Sequence, residues 1–251
     1  MSTSSRAEHE IAHGRKLSES GAEHVWGWGT PAGKVRFQNR AAWIIEHAGL
    51  KPGMQALEIG CGTGNFTEAF AASGANLLAL DISEELLEKA RRRDLPGTVR
   101  FVCKPFEALD MPEAFDAVIG SSVLHHLEIR PALAAILRLL KPGGCMAFSE
   151  PNMLNPQIML QKNIPWIKRR VGDSPDETAF FRGQMRRLLT EAGFTRIEVT
   201  PLDWLHPAIP PSAINFFQKT GKLLEHLPLV REFAGSLYIV ARRPQETGAR
   251  A

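Results

Sequence analysis

What the chain lacks narrows its class first. No stretch approaches the roughly 20 consecutive apolar residues of a membrane-spanning helix. Met1 to Ser20 is polar and charged, without the apolar centre of a secretory signal. Cysteine is scarce, and Cys61, Cys103 and Cys145 each fall in or beside a predicted strand with no metal-ligand spacing. They read as reduced, buried thiols in a cytoplasmic protein. Internal repeats and long low-complexity tracts are absent. So is a strong charge excess: the net charge is +3 and the isoelectric point near 8.9. The small surplus sits in clusters such as Arg91-Arg92-Arg93, Lys168-Arg169-Arg170 and Arg242-Arg243, which a solvated surface explains about as well as an anionic partner. The remainder, 251 residues that are 44% hydrophobic and 23% charged, has ample material for one buried core.

The most informative stretch is Leu57-Glu58-Ile59-Gly60-Cys61-Gly62-Thr63-Gly64-Asn65. A buried strand leads into it, and Phe66 to Ala72 reads as the helix that follows. Three glycines at alternate positions permit a tight turn whose bare backbone can lie against a ligand. Such a turn falls between the carboxyl end of a strand and a helix N-terminus, where open α/β sheets bind their ligands. Asp81 then closes a second apolar run, Asn76 to Asp81. A carboxylate at the tip of that strand is placed to accept hydrogen bonds from two ribose hydroxyls. The spacing is not the dinucleotide G-x-G-x-x-G, because Asn65 stands where its last glycine would fall. No Lys-Ser or Lys-Thr follows, which excludes a triphosphate loop.

A hydrophobic-Glu-hydrophobic-Gly-x-Gly-x-Gly strand and turn, with an aspartate ending the next strand, resembles the class I S-adenosylmethionine (SAM)-dependent methyltransferases. Phe115 to Leu127 is similar to their fourth strand and its loop, and Leu140-Lys141-Pro142-Gly143-Gly144 to their turn into strand five. The detailed resemblance runs from about Leu50 to Glu150. It implies a Rossmann-like, doubly wound α/β fold with a seven-stranded, mostly parallel sheet of order 3-2-1-4-5-7-6. The last strand would be antiparallel, with an N-terminal cap helix and helical inserts near the C-terminus. It implies one domain over 1–251: tail and cap helix to residue 48, SAM-binding core 49–150, substrate-side inserts with strand six 151–235, and last strand with tail 236–251. It also implies SAM as co-substrate, no metal, and S-adenosylhomocysteine as product. Cofactor residues carried over are Glu58, Gly60, Cys61, Gly62, Gly64, Asn65, Asp81, Ile82 and Ser121. One departure stands out: many relatives carry an aspartate for the adenine amino group where this chain has Lys104. Either Glu107 substitutes from a shifted loop, or backbone groups and the Phe106 ring hold adenine.

The chain reads as loose to about Glu23, then as a helix from Pro31 to about His47 with Thr30 as its N-cap. Trp26 and Trp28 before that helix either anchor it or form a lid over the cofactor and the reacting methyl group. Arg36 and Arg40, at i and i+4, could meet the SAM carboxylate or an acidic substrate; the other reading, a solvated arginine, suits Arg40 better. Strands are expected at Gln55–Gly60, Asn76–Asp81, Val99–Lys104, Phe115–Gly120, Cys145–Ser149, Thr195–Pro201 and Gly235–Ala241.

Transfer of an activated methyl group is an in-line displacement that needs positioning above all. A hydroxyl or ammonium nucleophile also needs a base, and histidine suits that task near neutral pH. The catalytic candidates are His125 and His126, His125 first, against the alternative that one of them only caps or packs. Glu150 and Asn152 leave strand five toward the same end and are substrate candidates, although an Asx turn equally explains Asn152. His206 is a further candidate from the substrate side. Two inserts, 156–170 and 204–229, are apolar and could cap the pocket, favouring a hydrophobic small-molecule acceptor. The first ends in a basic run and also suits a membrane surface. Small-molecule methylation on oxygen or nitrogen leads. An RNA or protein methyltransferase is the second reading, although no Asn/Asp-Pro-Pro-aromatic motif and no basic module support nucleic acid. A SAM-binding protein that does not methylate is the third.

Overall fold

The computed structural model describes residues 3–174 and 176–245; the tail expected beyond residue 245 lies outside them. Seven strands form one sheet: β1 (Gln55–Ile59), β2 (Asn76–Asp81), β3 (Val99–Cys103), β4 (Phe115–Ser121), β5 (Leu140–Pro151), β6 (Thr195–Leu202) and β7 (Ser236–Arg242). Their order is β3-β2-β1-β4-β5-β7-β6, as expected, with β7 antiparallel to both neighbours and the other pairs parallel. The helices are α1 (Thr3–Ser20), α2 (Ala22–Val25), α3 (Pro31–Ala48), α4 (Asn65–Ala71), α5 (Glu84–Arg91), α6 (Ile129–Leu139), α7 (Pro156–Asn163), α8 (Pro165–Val171), α9 (Arg182–Glu191) and α10 (Ile214–Glu225).

The sheet separates two cores, and the period-2 alternation of strand side chains allots residues between them. Leu57, Val118, Met146 and Phe148 face one way, onto Leu133 and Ile136 of α6 and Met185 and Leu189 of α9. Ala56, Ile119, Cys145 and Ala147 face the other way, onto Ile44 of α3 and Phe70 of α4. Helix ends follow their caps. The Thr30 side chain accepts from the Gly33 N–H with Pro31 in the first turn, and Ser83 accepts from Leu86 at the start of α5.

Four expectations are corrected. The N-terminal segment is helical: α1 is mostly polar, but Leu17 packs with Ala22 and Leu86, and Gly14 lies so close to Ser83 that a Cβ would come within 2.6 Å of it. β5 begins at Leu140, five residues earlier than expected, because Leu140 pairs with Phe115 across a register shift and the Gly143 N–H is taken by the Arg243 carbonyl. Cys103 is exposed, since β3 is an edge strand, whereas Cys61 and Cys145 are buried. Finally, Arg40 is buried rather than solvated, at 3% exposure.

Arg40 is held by Asp203 just after β6 (3.3 Å), by Ser236 at the start of β7 (2.9 Å), by Ser121 at the end of β4 (3.2 Å) and by Ser122 just after it (3.0 Å). Arg36 also grips Asp203, with Nε and Nη2 at 2.9 and 2.8 Å from Oδ2. Both guanidinium groups lie over the Trp28 ring, 5.7 and 5.2 Å from its centroid. This junction fixes α3 against the far side of the sheet. Removing one partner of a buried ion pair leaves the other charge uncompensated. Asp203→Ala is therefore expected to lower the unfolding free energy by about 3–5 kcal/mol in a urea titration, and a loss below about 1 kcal/mol would show that the junction is not structural.

Candidate active site

The glycine turn leaves β1 with all three glycines at positive φ: Gly60 at 69°, Gly62 at 53° and Gly64 at 79°. Each is glycine for a separate steric reason. A Cβ on Gly60 would meet Val123 at 2.5 Å, one on Gly62 the Trp26 ring at 2.9 Å, and one on Gly64 Ala90 of α5 at 3.0 Å. Asp81 anchors the turn: one carboxylate oxygen accepts from the Gly62 N–H at 2.7 Å and the other from the Ser83 N–H at 2.9 Å. Burial raises its pKa, partly offset by those backbone donors.

A cavity of about 910 Å3 opens beside this turn, at the carboxyl ends of the strands where a doubly wound sheet places its ligands. On the turn side it is lined by Gly60, Cys61, Gly62, Asn65, Asp81 and Ile82. Lys104, Phe106 and Glu107 line the next stretch, and Ser121 and Ser122 the floor. The tryptophans divide the roles proposed for them. Trp28 is an anchor, edge-on to Phe37 and Phe66, while Trp26 lies over Gly62 as a cover; both line the cavity, as do Arg36 and Arg40. Helix α1 contributes Arg6, Glu10 and His13 to the wall.

Opposite the turn lies a network of charge. His125 is buried, its Nδ1 is 2.7 Å from Glu150 Oε2, and its Nε2 is 3.6 Å from Glu177 Oε1. Burial works against a charged imidazole, but the Glu150 and Glu177 carboxylates outweigh it and raise the pKa to about 9. His125 is thus an imidazolium near neutral pH and cannot take up a further proton. His126 lies beside it, with ring centroids 4.2 Å apart. Its Nε2 is 3.1 Å from Glu177, and its buried Nδ1 lies 2.8 Å from Glu10 Oε2 without forming an aligned hydrogen bond. Lys162 of α7 pairs with the other oxygen of Glu177 at 3.0 Å and with Asp173 at 2.7 Å. Its cationic neighbours hold the Glu177 carboxyl well below the usual carboxylate range, against the opposing effect of burial.

Several expected site residues lie elsewhere. Glu58 is buried behind the turn, on the side of β1 that faces α4, and does not line the cavity. Burial, reinforced by the nearby Asp81 charge, raises its pKa to about 8. Gly64 is packed against α5 instead of facing the cavity. Glu150 is fully buried and accepts from the Val123, Leu124 and His125 N–H groups, so it orders the His125 loop and does not line the cavity. Asn152 forms the Asx turn: its Oδ1 accepts from Leu154, and its Nδ2 donates to the Glu232 and Ala234 carbonyls. His206 is exposed, with Nδ1 accepting from Ala208 and Nε2 3.0 Å from Gln157. Glu10, Lys162, Asp173 and Glu177 escaped sequence reasoning because they sit on a polar helix and inserts without a motif.

Sheet order, the glycine turn after β1 and the acid that ends β2 together define a Rossmann-like methyltransferase fold. A methyltransferase-domain family model matches residues 57–148. The chain is similar to the ubiquinone biosynthesis O-methyltransferase of Bordetella bronchiseptica, 35% identical over 202 residues that cover 73% of this chain and 81% of the relative. It is similar to the protein of the same name in Methylococcus capsulatus, 34% identical over 144 residues, 53% of this chain and only 60% of the relative's length. A Burkholderia thailandensis 1,6-didemethyltoxoflavin-N1-methyltransferase, solved with 1,6-didemethyltoxoflavin and S-adenosylhomocysteine bound, shares the fold: the TM-score is 0.64 at 20% identity, over 98% of this chain and 92% of that one. The chain belongs to the class I SAM-dependent methyltransferases, the family whose co-substrate is SAM.

The charge on His125 gives a pH prediction. Its folded pKa, about 9, exceeds the unfolded value of 6.5, so its stabilisation is complete below about pH 6.5 and is lost as pH rises through about 9. The stability difference between wild type and His125→Gln should shrink by roughly 3 kcal/mol from about pH 6 to about pH 10. Urea titrations across that range check it, and a constant difference would mean that His125 is not charged in the fold.

Proposed function

We propose that the protein transfers the methyl group of SAM to a hydroxyl on a small, largely apolar acceptor, with His126 as general base. One observation carries this reading: a single cavity is lined both by the glycine turn with Asp81 and by His126. At about 910 Å3 it lies at the upper end of the roughly 300–1,000 Å3 of ordinary ligand pockets, with space for donor and acceptor side by side. On the donor side, Asp81 would receive the ribose hydroxyls, and Phe106 and Glu107 line the stretch that would take adenine. Two guanidinium groups, Arg36 and Arg40, share the one Asp203 carboxylate, which leaves positive charge in the wall for a ligand carboxylate.

Bound SAM supplies a methyl carbon activated on a sulfonium; the acceptor oxygen forms the new C–O bond as the C–S electron pair stays on sulfur. The protein's part is to hold that line and to take the hydroxyl proton. His126 Nδ1, unaligned with Glu10, is the atom for the proton, and Glu177 at Nε2 stabilises the resulting imidazolium. The acceptor hydroxyl would take the place of Glu10 beside Nδ1. Ile158, Leu127 and Pro105 give the cavity apolar surface for the acceptor body. The relatives named as O-methyltransferases favour oxygen as the attacking atom. The test is transfer of labelled methyl from SAM to hydroxylated apolar acceptors. His126→Ala should lower kcat by about 10²–10⁴-fold and leave S-adenosylhomocysteine affinity unchanged. Full turnover in that variant across the pH range would remove His126 as the base.

A further inference from the structure

Helix α10 inverts the usual arrangement of a surface helix, which turns its apolar stripe to the core. Its inward side is marked by Gly221, where a Cβ would come within 3.0 Å of Trp204. Its outward side carries Phe216 and Leu223, 65% and 64% exposed and seven residues apart on one stripe. Exposed apolar side chains continue past its end at Leu227, Leu229 (83%) and Phe233. The Asn155 side chain at the start of α7 donates to the Phe233 carbonyl at 2.9 Å, so this segment adjoins the α7–α8 insert. There Trp166 is 62% exposed, with Arg169 and Arg170 at i+3 and i+4 on the same exposed side of α8. Exposed apolar side chains gathered on adjoining segments mark a contact site.

The charges select the partner. Lys219 and Lys222 of α10 are exposed and make no ion pair among the described residues. Of the acids of the same segment, Glu232 pairs with Arg182, while Glu225 accepts from the neutral Asp203 N–H and lies near Lys222. With Lys219, Lys222, Arg169 and Arg170 exposed, the charge around the apolar tips is basic on balance. A second copy docked by a two-fold axis would bring two faces of the same basic charge together. An anionic lipid surface matches both features, taking apolar tips into the headgroup–acyl boundary while lysine and arginine heads remain at the phosphates.

We infer that α10, the Leu227–Phe233 segment and α8 form a docking face for an anionic membrane surface. The inference does not depend on which acceptor is methylated. It does place the cavity close to lipid, because α7 lines it with Ile158, Gln161 and Lys162. The test is co-sedimentation of the full chain with phosphatidylcholine vesicles, with and without phosphatidylglycerol. Binding should require the anionic lipid and fall as salt is raised. Phe216→Ser with Leu223→Ser should lower the partition coefficient by roughly tenfold or more, and Lys219→Glu with Lys222→Glu should remove the preference for anionic lipid. Both double variants replace exposed residues, and an unchanged unfolding midpoint confirms their fold. Absence of wild-type binding to anionic vesicles would overturn the inference. So would a wild-type dimer in sedimentation that Phe216→Ser with Leu223→Ser converts to monomer, since the face would then join two copies.

Discussion

One carboxylate holds the site together. Glu150, at the end of β5, has no solvent exposure and gathers three consecutive backbone N–H groups, from Val123, Leu124 and His125, together with the His125 imidazole. Charge-assisted hydrogen bonds of this kind are stronger than neutral ones, and four buried donors without an acceptor would be costly. The same residue therefore fixes the loop after β4, keeps His125 charged, and sets the position of His126, whose ring centroid is 4.2 Å from that of His125. Val123 of that loop in turn packs on Gly60, so the order imposed by Glu150 reaches the glycine turn.

Around this anchor the cavity wall is assembled from parts distant in sequence. Arg6 of α1 donates to the His125 and His126 carbonyls and to that of Asp176, and Glu10 accepts from Ser174. Glu177 joins the histidines to Lys162. Helix α1 thus closes the cavity largely through polar contacts, with a small apolar patch at Leu17. Polar contacts of this sort are individually modest, so α1 is held less firmly than the elements packed on the two apolar cores.

The core was legible in the sequence because its signals are local: short apolar runs, glycines needing positive φ, Ser and Thr caps, and an acid ending a strand. Gly60, Gly62 and Asp81 line the cavity where that reading put them, whereas Gly64 packs on Ala90; Gly60 and Gly62 also make room for Val123 and Trp26. Helix α1 was hidden because most of its side chains are polar and its packing depends on α5, far along the chain. Glu150 looked like a substrate contact because its position at the end of β5 is the position of many binding residues. Which neighbouring loop covers that strand end is decided by the sheet order, which no local pattern states. Glu10 and Glu177 become neighbours of His126 only when the first helix and the β5–β6 insert meet over the sheet.

The central claim is that the glycine turn and Asp81 form the donor site. The most direct measurement is a calorimetric titration of the protein with S-adenosylhomocysteine, repeated with Asp81→Ala. One-site saturable binding, weakened about tenfold or more in the variant through loss of hydrogen bonds to a charged acceptor, is the predicted result. Equal affinity in the two proteins, or no binding to the wild type, would contradict the account.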